Sequence, residues 1–373
     1  MAGSTRLVDL VQTEIDGFLD QQAEHIATVA SDLAPFVELA RTLLAGGKRF
    51  RALFCYWGWE ASRAAADPLD PAPMLAADPS LPAVVVAASA LEVFHAAALV
   101  HDDIMDNSDT RRGAPAAHRA FERLHAQGGW VGDGAGFGRA GAILLGDLLL
   151  GWSAELLEHA LELLGEPDRA RTARAEFALM RTEVSLGQYL DVLEEVSWLR
   201  REESELLARA QRVIVYKSAK YSVEAPLALG GALGGGGPEQ IRALRRFGLP
   251  LGIAYQLRDD LLGVFGDPSA TGKPAGDDLR EGKRTVLVAL TRAALQPSAR
   301  RIFDELLGDP TLGGEQIATM QRSIEGSGAV EKVERIITRQ VGRAIESLAD
   351  APLSESSKAQ LAGLAESVSR RSR

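Results

Sequence analysis

Two blocks of carboxylates stand where apolar sequence gives way to charge. The first, "HDDIMDNSDTRRG" (His101–Gly113), carries four Asp in nine residues and then two Arg. The second is "YQLRDDLLGVFGD" (Tyr255–Asp267). Each closes an apolar stretch, "ALEVFHAAALV" (Ala90–Val100) and "FGLPLGIAYQL" (Phe247–Leu257), and each is followed by Gly and cations. Residues four apart on a helix share a face, so Asp102 and Asp106 point the same way, with Asp103 beside them. Like charges at that spacing destabilise a helix, and a hard divalent cation offsets them. Mg²⁺ takes carboxylate oxygens and keeps positions for water and phosphate oxygens. One Asp pair reads as a solvated helix end. The same device used twice reads as two walls of one cavity, bridged by several Mg²⁺ and a polyanion. An EF-hand is excluded, because the alternating oxygen ligands and the twelfth-position Glu are missing. Zinc is disfavoured: His95, His101 and His118 lack the usual spacing, and oxygen-only clusters suit Mg²⁺.

The cations complete this chemistry. "GGKRFR" (Gly46–Arg51) sets Lys48 and Arg51 three apart, predicted on one helical face after a glycine turn. Arg111 and Arg112 are adjacent, so they point in different directions and serve two anions. Lys217 and Lys220 lie in "YKSAKY" (Tyr216–Tyr221), and Lys273 and Lys283 follow the second Asp block. Each alone is a surface charge. Interleaved with Mg²⁺-type carboxylates, they point to diphosphate recognition. His95 lies seven residues before Asp102, nearly two turns below it, and is expected to face the same cavity and contact an anion.

Helices must position these groups. "LVDLVQTEIDGFLDQQ" (Leu7–Gln22), "WSAELLEHALELLG" (Trp152–Gly165), "LMRTEVSLGQYLDVLEEV" (Leu179–Val196) and "EKVERIITRQVGRAIESLA" (Glu331–Ala349) space apolar residues three or four apart, the period of amphipathic helices. Period-two runs are scarce. The expectation is an all-α protein, a single large helical bundle around a central cavity, forming one domain over residues 1–373. Loops are expected at 65–82, 126–141 and 230–238, with a Ser/Arg-rich tail fraying over 353–373.

Composition narrows the class. Among 373 residues, 46% are hydrophobic and the net charge is −10. That balance argues against nucleic acid as a partner, since phosphate backbones need a basic face. Cys55 is the single cysteine, so an internal disulfide is impossible and a reducing, cytoplasmic home is expected. No signal peptide is read at the start. The most apolar window, Pro82–Val100, contains Glu92 and His95 and is expected to be a buried helix, so no transmembrane segment is expected.

Taken together, the motifs resemble those of the trans-isoprenyl diphosphate synthases, the polyprenyl synthetase family. "DDIMDNSDTRRG" resembles the first Asp-rich motif and "QLRDDLLGVFGD" the second. "GGKRFR", "LEVFHAAALVHDD", "LLGDLLL", "GQYLD", "YKSAKY" and "GKPAGDDLREGKRT" follow in the family's order, over residues 43–290. The resemblance implies an all-helical, Mg²⁺-dependent homodimer that couples an allylic diphosphate to isopentenyl diphosphate. It implies three Mg²⁺ on the allylic diphosphate, two held by Asp102 and Asp106 and one by Asp259. Arg111, Lys217, Ser218, Lys273 and Lys283 would serve that diphosphate. Lys48, Arg51, His95 and Arg112 would hold isopentenyl diphosphate, and Gln256 would sit near the reacting carbons. Asp103 belongs to the same catalytic block.

Two departures stand out. Gly263 replaces an Asp common in relatives, which predicts a thinner metal shell on that wall. Ser218 stands where Thr is common, keeping the hydroxyl. In the family, product length is set below the first Asp motif. There Ala97 and Ala98 are small and Phe94 is the expected floor, which implies geranylgeranyl diphosphate, with farnesyl or longer products as alternatives. A class I terpene cyclase fits less well, because "GGKRFR" offers a second diphosphate site. A regulatory subunit fits less well, because the Asp motifs are kept.

Overall fold

The computed structural model describes residues 2–63, 78–266 and 276–369. Helices α1 (Ala2–Val29), α2 (Ala34–Leu44) and α3 (Phe50–Ser62) lead into α4 (Leu81–Met105). A short hairpin, β1 (Thr110–Arg111) and β2 (Ala114–Pro115), precedes α5 (Ala117–Gln127), α6 (Gly134–Leu164) and α7 (Pro167–Ser197). Helix α8 (Glu203–Val213) runs through a π-helical segment (Ile214–Glu224) into α9 (Ala225–Leu233). Next come α10 (Pro238–Phe265), α11 (Asp277–Glu281), α12 (Val286–Ala294) and α13 (Pro297–Leu306). The chain ends with α14 (Gly314–Gly326), α15 (Ala329–Glu346) and α16 (Glu355–Ser369). The fold is all-α; among the described residues the hairpin is the only sheet.

Helix α4 is apolar on nearly every side and is correspondingly enclosed. It is long and apolar enough to cross a membrane, with mean hydropathy 2.0, yet 83% of that window is buried inside the protein. A helix apolar all round belongs in a core. It packs most extensively on α6, where Gly146 lies against the His101 ring with no space for a side chain. Its buried Glu92 is satisfied from α3: the Ala52 amide donates to it at 3.2 Å and Arg49 pairs with it at 3.4 Å. One apolar cluster joins α1–α7 and α9; another is built mainly from α8, α10 and α12–α16. Phe50 and Trp57 of α3 pack against both.

Three local expectations change. The 126–141 segment is half helical, because Asp133 caps α6 by accepting from the Ala135 amide at 3.1 Å. Its glycines serve close packing: Gly138 lies on the His118 carbonyl and Gly141 on the Phe121 ring. Within 230–238, Gly230–Leu233 belong to α9, where Gly230 touches the Cys55 carbonyl, leaving only 234–237 as the connection. The C-terminal tail is not frayed over 355–369: it forms α16, and Leu361 and Ala365 are fully buried. Most of the 65–82 segment lies outside the described residues.

Candidate active site

A cavity of about 350 Å³ opens where α4, α7, the π segment, α10 and α11 converge. Glycines bring the helices this close. Gly187 of α7 meets the Tyr216–Lys217 backbone directly, and Gly252 of α10 stands so near the Ala219 carbonyl that an added Cβ would lie 2.5 Å from it. Any larger residue would push these helices apart. The π segment carries Lys217, Ser218 and Tyr221 to the cavity wall. π turns are rare and concentrate at functional sites.

The cavity gathers Arg51, His95, Ala98, Asp102, Asp106, Arg111, Lys217, Ser218, Gln256, Asp259 and Lys283, all singled out from sequence. Asp102 is in the last turn of α4, and the Asp106 amide closes that turn onto the Asp102 carbonyl at 2.8 Å. The two carboxylates therefore do share the cavity side. The hairpin then separates the arginines. Arg112 and Gly113 adopt left-handed φ of 53° and 75° at its two-residue tip, the geometry a tight hairpin requires. Arg111 consequently turns inward, 3.8 Å from Asp102. Arg112 turns outward and donates to the Leu43 carbonyl at 3.3 Å, beside Gly47.

Several residues sit differently from expectation. Asp103 does not line the cavity; it is buried and accepts from Arg111, with Nε at 2.9 Å, so it holds that arginine in place. Lys48 is exposed and precedes α3, which starts only at Phe50, so Lys48 and Arg51 do not share a helical face. The reason is Arg49, which caps α3 in a left-handed conformation (φ 48°) and is buried against Glu92, Gln12 and the Leu44 carbonyl. Lys220 turns away to Glu183. Phe94 and Ala97 are buried on α4. Phe94 packs edge-on to Phe177 of α7 (6.0 Å) and to Tyr221 (5.9 Å), forming an aromatic layer. Lys273 lies outside the described residues.

The first wall is an ion network. Lys217 Nζ bridges Asp102 Oδ1 (2.9 Å) and Asp191 Oδ2 (2.5 Å). Lys283 pairs with Asp106 and reaches Asp191 at 3.4 Å and Glu195 at 3.6 Å. Gln188 donates to Asp102 at 2.9 Å. Burial alone would raise the Asp102 and Asp191 carboxyls, but Lys217 and Lys283 outweigh it and hold both below the usual carboxylate range. Asp106 goes the other way, pushed up to about 6 by burial and by the Asp102 charge. Glu195 is pushed up to about 7, by burial first, with Asp106 and Asp191 adding to it against Lys283. Both amines stay protonated, because burial is overcome by Asp102 and Asp191 at Lys217 and by Asp191 and Asp106 at Lys283.

His95 shares a hydrogen bond with the buried Tyr221 hydroxyl, and the Arg51 guanidinium lies over the Tyr221 ring at 4.4 Å. Burial, then the Arg51 and Arg112 charges, push the His95 imidazole well below its ordinary range, so it is neutral. Across the cavity, Gln256 donates to Asp260 at 2.8 Å. Burial drives the Asp260 carboxyl well above its usual range, with Asp278 and Asp259 adding to this against the Gln256 hydrogen bond.

Sequence reasoning passed over Gln188, Asp191, Glu195, Tyr221 and Asp278. The signal for two of them was present: "GQYLD" places Gln188 and Asp191 three apart, one helical face of α7. The oxygens of Asp106, Asp191 and Glu195 lie within 4.8 Å of one another, close enough to hold one cation. The donors are all oxygen, and two of the three carboxyls are raised without a metal, so the set fits Mg²⁺.

Comparison with known proteins agrees with this geometry. Residues 35–324 match the family model described as polyprenyl synthetase. A short chain isoprenyl diphosphate synthase of Methanothermobacter thermautotrophicus is 31% identical, over 87% of this chain and 88% of its own. A geranylfarnesyl diphosphate synthase of Aeropyrum pernix is 30% identical, over 74% of this chain and 79% of its own. The crystal structure of a geranylgeranyl pyrophosphate synthase from Corynebacterium glutamicum, complexed with isoprenyl diphosphate and magnesium, superposes with a TM-score of 0.89. It is 38% identical and covers 98% of this chain and 99% of that one.

Proposed function

Since the chain belongs to the polyprenyl synthetase family and is a Mg²⁺-dependent trans-prenyltransferase, we propose that its cavity joins isopentenyl diphosphate to farnesyl diphosphate to give geranylgeranyl diphosphate. The observation that carries this reading is the placement of two charged groups above one apolar wall. Asp102, Asp106, Lys217, Lys283 and Arg111 line the same cavity as Arg51 and His95. Arg112 and Lys48 stand at the adjoining turn. The first group suits the allylic diphosphate, the second that of isopentenyl diphosphate, and α4 below them receives the growing chain.

Breaking the allylic carbon–oxygen bond leaves a cation and builds negative charge on the departing diphosphate. Fixed cations that stabilise developing charge lower such a barrier. Lys217 and Lys283, held protonated by their carboxylates, supply that charge, and Arg111 is fixed by Asp103. Mg²⁺, held by Asp102, Asp106 and Asp259 and numbering three, would neutralise the diphosphate oxygens as a Lewis acid. Arg51, Arg112 and neutral His95 orient isopentenyl diphosphate so that its alkene faces the allylic carbon. Its π electrons form the new carbon–carbon bond, and the resulting tertiary cation loses a proton to restore an alkene. The released diphosphate is the nearest base to take that proton. Gln256, beside Asp260, lines the cavity and would stand near the reacting carbons.

Small Ala98, with Ala97 behind it, lets the chain pass, and the Phe94–Phe177–Tyr221 layer stops it. One observation favours a longer product. The Aeropyrum relative is named for geranylfarnesyl diphosphate, one isoprene unit longer. We also propose a homodimer. Helix α6 exposes Ile143, Leu144 and Leu148, and α7 exposes Leu179, Leu186 and Tyr189. Exposed apolar stripes of this kind mark association surfaces, and sedimentation of the purified chain as a monomer would remove this part of the reading. A cytoplasmic location is proposed from the single, buried Cys55. The functional test is Asp102→Ala. It should fold, as judged by circular dichroism, yet elongate no allylic diphosphate with Mg²⁺ and labelled isopentenyl diphosphate. Full elongation by this variant would refute the site assignment.

A further inference from the structure

The apolar helix α4 carries one carboxylate deep inside the core, Glu92, which is 5% exposed and does not line the cavity. A buried carboxylate is costly unless it is paired and hydrogen-bonded, so its partners show what it serves. They lie at the start of α3. The first amides of a helix have no acceptor within it, and no side chain caps α3 from its own N-cap position, where Arg49 stands. Glu92 supplies that cap from another helix: its Oε1 accepts from the amide of Ala52, the third residue of α3, at 3.2 Å. Its Oε2 accepts from Arg49 Nη1 at 3.4 Å. Arg49 is itself buried, and its Nη2 donates to Gln12 Oε1 at 2.5 Å and to the carbonyl of Leu44. Helix α1, the end of α2, the start of α3 and α4 are therefore tied at one point.

The groups assigned to isopentenyl diphosphate stand around that tie. Lys48 immediately precedes Arg49. Arg51, one residue before Ala52, donates to Ser222 at 2.8 Å and lies over the Tyr221 ring. The turn that carries Lys48 packs on Arg112, whose guanidinium would lie 3.6 Å from a Cβ at Gly47. His95 follows Glu92 by three residues, on the same helical face. The charges agree with this layout. Burial, with Arg49, Arg111 and Arg51, pushes the Arg112 guanidinium down, and Glu92 opposes them. The allylic cations Lys217 and Lys283 are held separately, by Asp102, Asp106 and Asp191.

We infer that Glu92 is a positioning residue for isopentenyl diphosphate: by capping α3 and holding Arg49, it fixes the turn and the first helical residues from which Lys48 and Arg51 reach that diphosphate. Glu92 touches no substrate. It acts through the backbone of residues 48–52, so its loss weakens one substrate and spares the other. This inference rests on the two-diphosphate reading of the cavity.

The test is steady-state kinetics of the full chain, with each substrate varied in turn. Glu92→Gln keeps the shape and an acceptor for the Ala52 amide but no longer pairs with Arg49. It should raise KM for isopentenyl diphosphate by about tenfold, the scale of one charge-assisted hydrogen bond. At saturation kcat should stay within about threefold of the parent, as should KM for farnesyl diphosphate, the pattern of lost binding rather than lost chemistry. Gln12→Leu removes another acceptor of Arg49 from outside the cavity and should raise the same KM by about threefold. A merely structural role of Glu92 would lower stability and the active fraction while leaving both KM values unchanged. A role through charge alone has the opposite sign, since removing a carboxylate from among cations would lower KM for isopentenyl diphosphate. Either outcome would overturn the inference, as would an equal rise for both substrates. Should Glu92→Gln fail to fold by circular dichroism, Gln12→Leu decides by the same criterion. Failure of the unmodified chain to elongate farnesyl diphosphate would instead remove the reading on which the inference rests.

Discussion

The two carboxylate walls look alike in sequence and differ in charge balance. On the α4–α7 wall, Asp102, Asp106 and Asp191 are threaded by Lys217 and Lys283, with Arg111 behind. On the α10–α11 wall, Asp259, Asp260 and Asp278 crowd one another, and Asp260 is driven toward its neutral form. The difference teaches a division of labour. The first wall is largely neutralised by the protein's own cations, which can turn to an arriving diphosphate. On the second wall the carboxylates lining the cavity raise one another, and we propose that divalent ions arriving with the substrate add to its balance.

The sharpest way to break this comparison is Lys217→Ala. It strands Asp102 and Asp191, so it should lower stability by about 3 kcal/mol in chemical denaturation, the scale of breaking a buried ion pair. It should also lower kcat by on the order of 10³-fold through lost charge stabilisation. A variant as stable and active as the parent would mean the first wall does not depend on its lysines. The next effect falls on the product. Phe94→Ala opens the aromatic layer under the first wall and should lengthen the chain by at least one isoprene unit, read by chromatography. An unchanged chain length would sink the floor assignment.

Asp260→Asn probes the second wall with the opposite sign. Without metal at pH 8 it should stabilise the chain by about 1 kcal/mol, the scale of one pKa unit, because it removes a buried, crowded charge. A melting temperature that falls would contradict the crowded-wall account. The smallest effect is a slope. Asp106, Glu195 and Asp260 are raised in the folded chain, so their contribution is present below about pH 4, the ordinary carboxyl range. It is lost as pH rises through about 6 for Asp106 and about 7 for Glu195. Asp102 and Asp191 are depressed, so theirs is present above the ordinary range and lost on acidification. The metal-free melting temperature should therefore decline by a few degrees between pH 5 and 8, and Mg²⁺ with inorganic diphosphate should flatten that decline. An identical slope with and without them would show that no cation neutralises these carboxyls.

How much of this was legible beforehand depended on range. Helical period and the paired Asp motifs are local signals, so the all-α fold and Asp102, Asp106, Lys217, Gln256 and Asp259 could be found in the chain. Contacts set by tertiary approach could not. Asp278 lies beyond the second Asp block, and its approach to Gly263 of α10 is set by how α11 packs, not by local spacing. Arg49 is passed over when "GGKRFR" is read for Lys48 and Arg51. Its burial against Glu92 follows from α3 crossing α4, which no spacing within "GGKRFR" encodes. Likewise, glycine at 138, 141 and 230 read as loop because its packing role depends on which helix lies opposite.

The most direct measurement is the product itself. Purified chain would be incubated with Mg²⁺, labelled isopentenyl diphosphate and dimethylallyl, geranyl or farnesyl diphosphate in turn, and the hydrolysed products separated by chromatography. The account predicts a C20 prenyl alcohol as the longest major product from every starter, and none without Mg²⁺. No elongated product from any starter would contradict it.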